Sequence, residues 1–275
     1  MIRQIGPALA YKPNKVEIVH NILSNKKDTW VYQHKFDGSR YLAHIVDNKV
    51  TLTSRRISSV TEKYAEYELE HLQFFHDDLN DTVIDGELMS TSAASLTAGE
   101  YIVFDILFYK GQDLTALPYK ERIKYVHKVV EKIKHKFPDI PVKEAEVMEI
   151  TDGNLVREHF KQYLAGGGEG FVLKNLESPY LINSRSRNMI IKWKREHTYD
   201  VIIQGFEKSD SDKYGPKGLD TFRHLYGYQY DAGGNLVLVS NIPATSWTDA
   251  AHRDLRAAGL TNLDGKIAEV GAMER

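Results

Sequence analysis

Residues 33–40 read Gln33-His34-Lys35-Phe36-Asp37-Gly38-Ser39-Arg40. They follow an apolar run, Trp30-Val31-Tyr32, so a lysine closes a strand and an acid, a glycine and an arginine come within the next five positions. That order supplies a nucleophilic amine, a tight turn and a fixed cation able to hold a phosphate or sugar oxygen. Alone it is weak, because Lys-x-Asp-Gly-x-Arg also describes many solvated surface hairpins. Its weight comes from the pieces that follow in order: Ser54-Arg55-Arg56, Asp85-Gly86-Glu87, Phe104-Asp105-Ile106-Leu107, Glu169-Gly170-Phe171-Val172-Leu173-Lys174 and Lys192-Trp193-Lys194.

The chain around these pieces reads as α+β. Strands are predicted at 29–35, 40–46 and 49–54, with a turn at Asp47-Asn48, and further strands at 82–84 and 101–108. Asn14 is placed to cap a short helix carrying Val16, Val19 and Leu23. Residues 62–75 read as a helix, Pro118 opens a long one through Lys136, and a third spans about 153–165 before Gly166-Gly167-Gly168 and a strand at 170–173. Strands with scattered helices and no regular β-α-β alternation argue against a doubly wound sheet. Beyond Thr198, strands at 199–207, 223–231, 236–240 and 266–270, with a turn at Ala232–Asn235 and a helix near 248–258, form a β-rich unit that suits an OB-fold. Gly215-Pro216-Lys217-Gly218 sits in a long polar loop.

With 275 residues the chain can bury a sizeable core, and its 42% hydrophobic and 27% charged content is that of an ordinary globular protein. No apolar run reaches the roughly 18–20 residues of a membrane span, and the N-terminus lacks the apolar core of a signal peptide. The absence of cysteine excludes disulfides and thiolate metal sites and is compatible with a reducing cytoplasm. Net charge of −2 hides basic stripes: residues 120–136 carry seven Lys or Arg against two Glu, and 174–195 carry six against one. Such stripes, and not total charge, set the attraction for polyphosphates, although a solvated lysine face is the commoner meaning of a charge run.

In their order the motifs closely resemble those of ATP-dependent DNA ligases, of a compact viral or bacterial type, in a superfamily shared with RNA ligases and capping enzymes. The likeness runs from Pro7-Ala8-Leu9-Ala10 to Ile267-Ala268-Glu269-Val270. It implies an ATP-grasp-like nucleotidyltransferase (adenylation) domain of antiparallel sheets with helices at 1–197, then a small OB-fold β-barrel domain at 198–275. It also implies a monomer acting on nicked duplex DNA in DNA repair, replication or recombination, in the cytoplasm (a host's, if viral). ATP would be the AMP donor, with Mg²⁺ or Mn²⁺.

Residue by residue, the resemblance makes Lys35 the covalent nucleophile and sets Lys192 and Lys194 on the α-phosphate. Phe104 would stack on the adenine, Glu87 accept from the ribose, and Arg40 hold the nucleotide sugar. Arg55 would contact phosphate of AMP or of the nicked strand, and Arg122, with Lys124 on the same basic helix, would face DNA. Glu169 and Asp37 would hold the metal. A free lysine titrates near 10.4, so Lys35 needs desolvation and nearby cations to become a nucleophile; Lys192 and Lys194, two apart on a strand, share a face.

Two departures stand out. Gln33 replaces a common Glu, which leaves a group for the adenine edge but loosens the choice of ATP over GTP. The family's last motif, an Arg-x-Asp-Lys-like segment, is absent before the chain stops at Glu274-Arg275. Either the sequence is incomplete, which is the expectation, or the first step is impaired or served by a substitute. The Phe104–Leu107, Gly111–Leu114 and Glu121-Arg122 segments weigh against an RNA ligase or a guanylyltransferase; a non-catalytic nucleic-acid-binding relic is the reading from another class.

Overall fold

Period-two alternation builds most of this chain, and the few helices cover what the strands leave exposed. The computed structural model describes residues 2–13, 17–90, 99–186, 188–194, 198–208, 222–244, 259 and 263–271. In chain order the strands are β1 (Trp30–His34), β2 (Ser39–Val46), β3 (Lys49–Ile57), β4 (Tyr64–Tyr67), β5 (Thr82–Ser90), β6 (Gly99–Tyr109), β7 (Gln112–Asp113) and β8 (Val142–Glu144). They continue with β9 (Met148–Glu149), β10 (Gly170–Asn175), β11 (Ile190–Lys194), β12 (Thr198–Lys208), β13 (Phe222–Tyr230), β14 (Leu236–Pro243) and β15 (Ile267–Gly271). Among the described residues the α-helices are α1 (Glu17–Asn25), α2 (Tyr119–Lys136) and α3 (Gly153–Ala165). The chain divides into two units, Met1–Arg195 and Glu196–Arg275.

The described residues of the first unit form two sheets. The larger runs β4-β3-β2-β5-β6-β7, with β8 alongside β6 in parallel, and the smaller runs β11-β10-β1-β9 with every pair antiparallel. Asp47 and Asn48 both take positive φ, 54° and 63°, the geometry of the tight turn that joins β2 to β3 without splaying them. Tyr41, Ala43 and Ile45 of β2 pack with Val126, Val129, Val130 and Ile133 of α2 in the main core. Alternation sends Arg40 and Leu42 to the other face, where Leu42 joins Ala8, Val83, Leu107 and Tyr180. The smaller sheet buries Trp30, Tyr32, Phe171 and Leu173 against α1 and α3, and Asp152 caps α3 by accepting from the Asn154 N–H at 2.6 Å.

Strand β6 carries two breaks in register. Asp105 pairs with Asp85 and Val103 with Gly86, so Phe104 has no partner in β5; Ile106 pairs with Ile84 and Phe108 with Val83, so Leu107 is likewise extra. Each extra residue is a bulge that re-aims a side chain. Phe104 and Leu107 both turn away from the α2 face.

The second unit is an antiparallel sheet ordered β14-β13-β12-β15, with Val201, Ile203, Phe222, Leu225 and Ile242 in its core. Gly205, at φ 80°, sits at the bulge between Ile203 and Phe206. The expected helix near 248–258, the loop at 215–218 and the Asn14 and Val16 end of α1 lie outside the described residues. Among the described residues no helix is long and apolar enough to cross a membrane.

The expected helix at 62–75 is not formed. Tyr64–Tyr67 pairs instead with β3, matching Tyr67 to Leu52 and Tyr64 to Ile57, and only single turns follow at Glu70–Leu72 and Asp77–Leu79. The Gln73 amide explains the change: it accepts from the Val50 N–H and donates to the Val50 carbonyl, both at 2.9 Å, acting as a short substitute strand. Spacing compatible with a helix lost to an open sheet edge.

Arg122 is buried. Expected to face DNA, it is 1% exposed, because it falls on the inward stripe of α2 with Val126, Val129 and Val130. Its guanidinium grips Asp105 at 2.8 and 3.1 Å and donates to the carbonyls of Leu117 and Ser178 at 2.5 and 2.8 Å. Removing one partner strands a buried charge, so Arg122→Met should lower stability by about 3–5 kcal/mol. Urea unfolding checks this, with Lys124→Met as a surface control within about 0.5 kcal/mol; a loss below 1 kcal/mol in Arg122→Met would mean that Asp105 needs no guanidinium.

Candidate functional site

A cavity of about 580 Å³ is lined by both sheets of the first unit, and Lys35 stands on its wall. The lysine follows β1 directly, and its N–H donates to the Gly170 carbonyl at 2.8 Å, which ties the end of β1 to β10. Three residues on, a Cβ at Gly38 would come 2.5 Å from the Leu88 carbonyl and 3.0 Å from Glu87 Cγ. Only glycine lets the loop lie that close to β5. Arg40 then enters β2 directly opposite Glu87.

The Lys35 ammonium donates to the Glu169 carboxylate, whose other oxygen is 4.0 Å from Lys194 Nζ. Glu169 is aimed by the residue after it: Gly170 has φ 142°, and a Cβ there would meet the Trp193 carbonyl at 2.3 Å. Lys192 and Lys194 sit opposite Val172 and Gly170 on β11. Burial lowers the Lys192 pKa, and the like charges of Lys35, Lys194 and Arg185 lower it further.

The floor carries a different chemistry. Arg40 grips the fully buried Asp85 through Nε at 2.9 Å and Nη2 at 2.5 Å, and Tyr180 donates to the same carboxylate at 2.6 Å. Burial works against the Arg40 charge, but Asp85 outweighs it and the guanidinium stays protonated. Arg40 is thus held by protein, not left free, and its guanidinium lies 5.1 Å from the centre of the Phe104 ring. Glu87 lines the cavity, and burial pushes its carboxyl up to about 7 against the pull of Arg40 and Lys35. Gln33 is 2% exposed and its amide donates to the Ala145 carbonyl at 3.3 Å, so it too is fixed in the wall.

The remaining expected residues separate. Arg55, Arg56 and Arg185 line the cavity yet are exposed, which sets them at its rim; burial first, then Arg56 and Arg40, lower the pKa of Arg55. Asp37 is exposed and outside the cavity lining, and among the described residues no group of three or more His, Asp or Glu is placed to hold a metal ion. Lys124 is exposed and paired with Glu121 at 2.9 Å on α2, across the larger sheet from the cavity. Two buried residues, Tyr180 and Lys174, have no role assigned from the sequence. Tyr180 carries no motif signal. Lys174 ends the Glu169–Lys174 motif and belongs to a basic stripe, yet it is 4% exposed, opposite Val31 of β1 in the smaller sheet.

Because the folded-state pKa of Glu87 lies above its ordinary value of 4.5, its contribution to stability is present below about pH 4.5 and is lost as pH rises through about 7. Glu87→Gln should remove that loss, so the variant should gain on the wild type between these pH values by at most about 3 kcal/mol. Urea unfolding at pH 5, 6, 7 and 8 measures it. Parallel stability curves for the two proteins would show that the carboxyl ionises freely.

The family model described as "ATP dependent DNA ligase domain" matches residues 7–98 and 91–194. A prophage-derived DNA ligase-like protein of Bacillus subtilis is 29% identical over 214 residues, covering 70% of this chain and 72% of its own length. A DNA ligase of Acidianus ambivalens is 25% identical over 301 residues, covering 96% of this chain, which spans only 46% of that protein. The ligase domain of M. tuberculosis LigD shares the fold with TM-score 0.54 at 19% identity, over 98% of this chain and 90% of that one. The ATP-dependent DNA ligase from bacteriophage T7, in complex with ATP, does so with TM-score 0.53 at 18% identity, over 99% and 94%. With the family model covering well over half of the residues, and doing so across the whole wall of the cavity, the chain belongs to the ATP-dependent DNA ligase domain family.

Proposed function

We propose that this protein is an ATP-dependent DNA ligase that seals nicks in duplex DNA through a lysyl-AMP intermediate. The observation that carries the reading is the placement of the Lys35 amine against Glu169 in a cavity walled by Lys192, Glu87 and Phe104. The first unit serves as the adenylation domain and the second, its sheet of β12–β15, as the OB domain.

In the first step the Lys35 amine, having given up a proton, attacks the ATP α-phosphorus. A P–N bond forms, the bond to the bridging oxygen breaks, and pyrophosphate leaves. Glu169 is the carboxylate in contact with the amine and so the first acceptor for its proton. Next, an oxygen of the 5′-phosphate at a nick displaces the lysine and carries AMP away. Finally the adjacent 3′-hydroxyl attacks the activated phosphate, releases AMP and closes the strand. Each step is an in-line displacement at phosphorus, where orientation and charge neutralisation supply most of the rate. Lys192 and Lys194 are the cations for the α-phosphate; Phe104 and Gln33 receive the base, and Glu87 and Arg40 the sugar. Glu169 offers oxygen ligation to Mg²⁺, which keeps most of its waters and needs few protein ligands; bound there, the ion would neutralise phosphate charge. Asp37, exposed in the loop between β1 and β2 and outside the cavity lining, would be a secondary oxygen donor to such an ion.

Incubation with α-labelled ATP tests the reading. Wild type should become labelled, Lys35→Ala should not, and the variant should still seal a nick that already carries 5′-AMP. Labelling of Lys35→Ala at the wild-type level would end the assignment; labelling by GTP alone would favour a guanylyltransferase.

Nicked DNA should engage the cavity face through the rim cations. Loss of one phosphate contact lowers the salt slope of binding by about 1, so Arg55→Ala with Arg185→Ala should lower it by about 2 and Lys124→Ala should leave it unchanged. Fluorescence anisotropy across salt concentrations reads both. The reverse pattern would place DNA on the α2 side.

A further inference from the structure

We propose that Lys174 is a positioning residue for the nucleotide base: its ammonium holds the bulge at Phe104 so that the ring is presented to the cavity. The inference rests on the adenylation reading above. It starts from β6, where Phe104 has no partner in the β5 register. A bulge frees backbone groups that need new partners. The Phe104 carbonyl accepts from Lys174 Nζ at 2.7 Å, with the Tyr119 hydroxyl further off at 3.4 Å.

Lys174 comes from β10 in the smaller sheet, so this one contact pins the bulge of one sheet to a strand of the other. The ammonium also lies 4.9 Å from the centre of the Phe104 ring and 4.4 Å from that of Tyr119, within the range of cation–π attraction. Both the carbonyl and the ring of Phe104 are therefore held by one cation. Lys174 lines the cavity beside Phe104 and Asp105, 3.9 Å from an Asp105 carboxylate oxygen. A neutral amine would keep one weak hydrogen bond but lose the charge that draws the carbonyl, the ring and Asp105 together.

The charged groups around Lys174 are Asp105 on β6, Asp85 on β5, Arg40 on β2 and Arg122 on α2, with the Tyr119 hydroxyl also near. Burial dominates and lowers the lysine to about 8, with the two aspartates opposing and the two arginines assisting. The ammonium is thus present at neutral pH and lost as pH rises through about 8.

The test is the affinity for α,β-methylene ATP, which binds without transferring AMP, measured by calorimetry from pH 7 to 9.5. Lys174→Met should weaken binding at pH 7 by at least about fivefold, the lower end of what a stacking partner contributes. The rate constant for lysyl-AMP formation at saturating ATP should change by less than about threefold. Lys174→Arg keeps the charge and should bind within about twofold of wild type at pH 7. It should also lack the loss of affinity that wild type suffers as pH rises through about 8. Groups common to both proteins, Lys35 and Glu87 included, cancel in that comparison.

Wild-type affinity in Lys174→Met would overturn the proposal and leave Lys174 a tie between sheets. An alkaline loss persisting unchanged in Lys174→Arg would overturn it as well, and decides the matter alone if the Met variant does not fold. Labelling of wild type by α-labelled ATP, run in parallel, separates the two readings. Labelling with indifferent Lys174 variants removes only this assignment; no labelling and no binding remove both.

Discussion

Two carboxylates, Asp85 and Asp105, face each other directly across β5 and β6, and both are buried to 1% exposure or less. Like charges opposite one another on a sheet repel, and burial magnifies the repulsion by removing water. The chain meets this with cations drawn from three different elements. Arg40 from β2 takes Asp85, while Arg122 from α2 and Lys174 from β10 take Asp105. Burial would raise the Asp105 pKa, but Arg122 and Lys174 overcome it and hold the carboxyl below its usual range. Pairing of the two aspartates therefore fixes the larger sheet to its covering helix on one side and to the smaller sheet on the other. The cavity is the space left where the sheets come together.

That arrangement divides the cations of the site into two kinds. Arg40, Arg122 and Lys174 are consumed by buried carboxylates, so what they lend to a ligand is position and field. Arg55, Arg56, Arg185 and Lys192 make no ion pair with a described carboxylate, and all four line the cavity. Phosphate is the natural partner of the second kind, since it brings the charge that the protein does not. Lys35 and Lys194 stand between the two, sharing Glu169. Glu169 holds the Lys35 ammonium at the cavity wall through a single oxygen and not through a rigid bidentate contact, which suits an amine that has to leave its partner in order to react.

The same division explains what was legible in the sequence. Strands β1, β2, β3, β6 and β10 and helices α2 and α3 follow from periodicity and from Pro118, the Gly166–Gly168 stop and the Asp47-Asn48 turn, because those signals are local. Lys35, Lys192, Glu87, Glu169 and Phe104 are likewise visible as residues in a fixed order, and the fold brings them to one cavity, with Lys194 reaching Glu169 from beside it. Partner choice was not visible. Arg122 and Lys124 are two positions apart in the same basic run, yet helical rotation buries one and exposes the other; only the apolar stripe of Val126, Val129 and Val130 tells them apart. The segment 62–75 escapes pattern reading for a related reason, since the edge of β3, which lies outside the segment and takes the Gln73 amide as a partner, decides its conformation.

Bulges mark the point where pattern reading ends. In an unbroken strand Phe104 and Asp105 would face opposite sides of the sheet, and an alternation argument assigns one of them to the α2 core. The extra residue at Phe104 puts the ring and the Asp105 carboxylate into one cavity lining. A base-sized apolar surface then lies beside the charge network that anchors the sheets, with only the Phe104 peptide between them. Any change in that network reaches the ring through its own carbonyl, without a chain of intermediate side chains. Specificity for the base and stability of the unit are consequently coupled at this strand. Cavity residues beyond it, such as Arg55 and Arg185, make no ion pair with either aspartate and so lie outside that coupling.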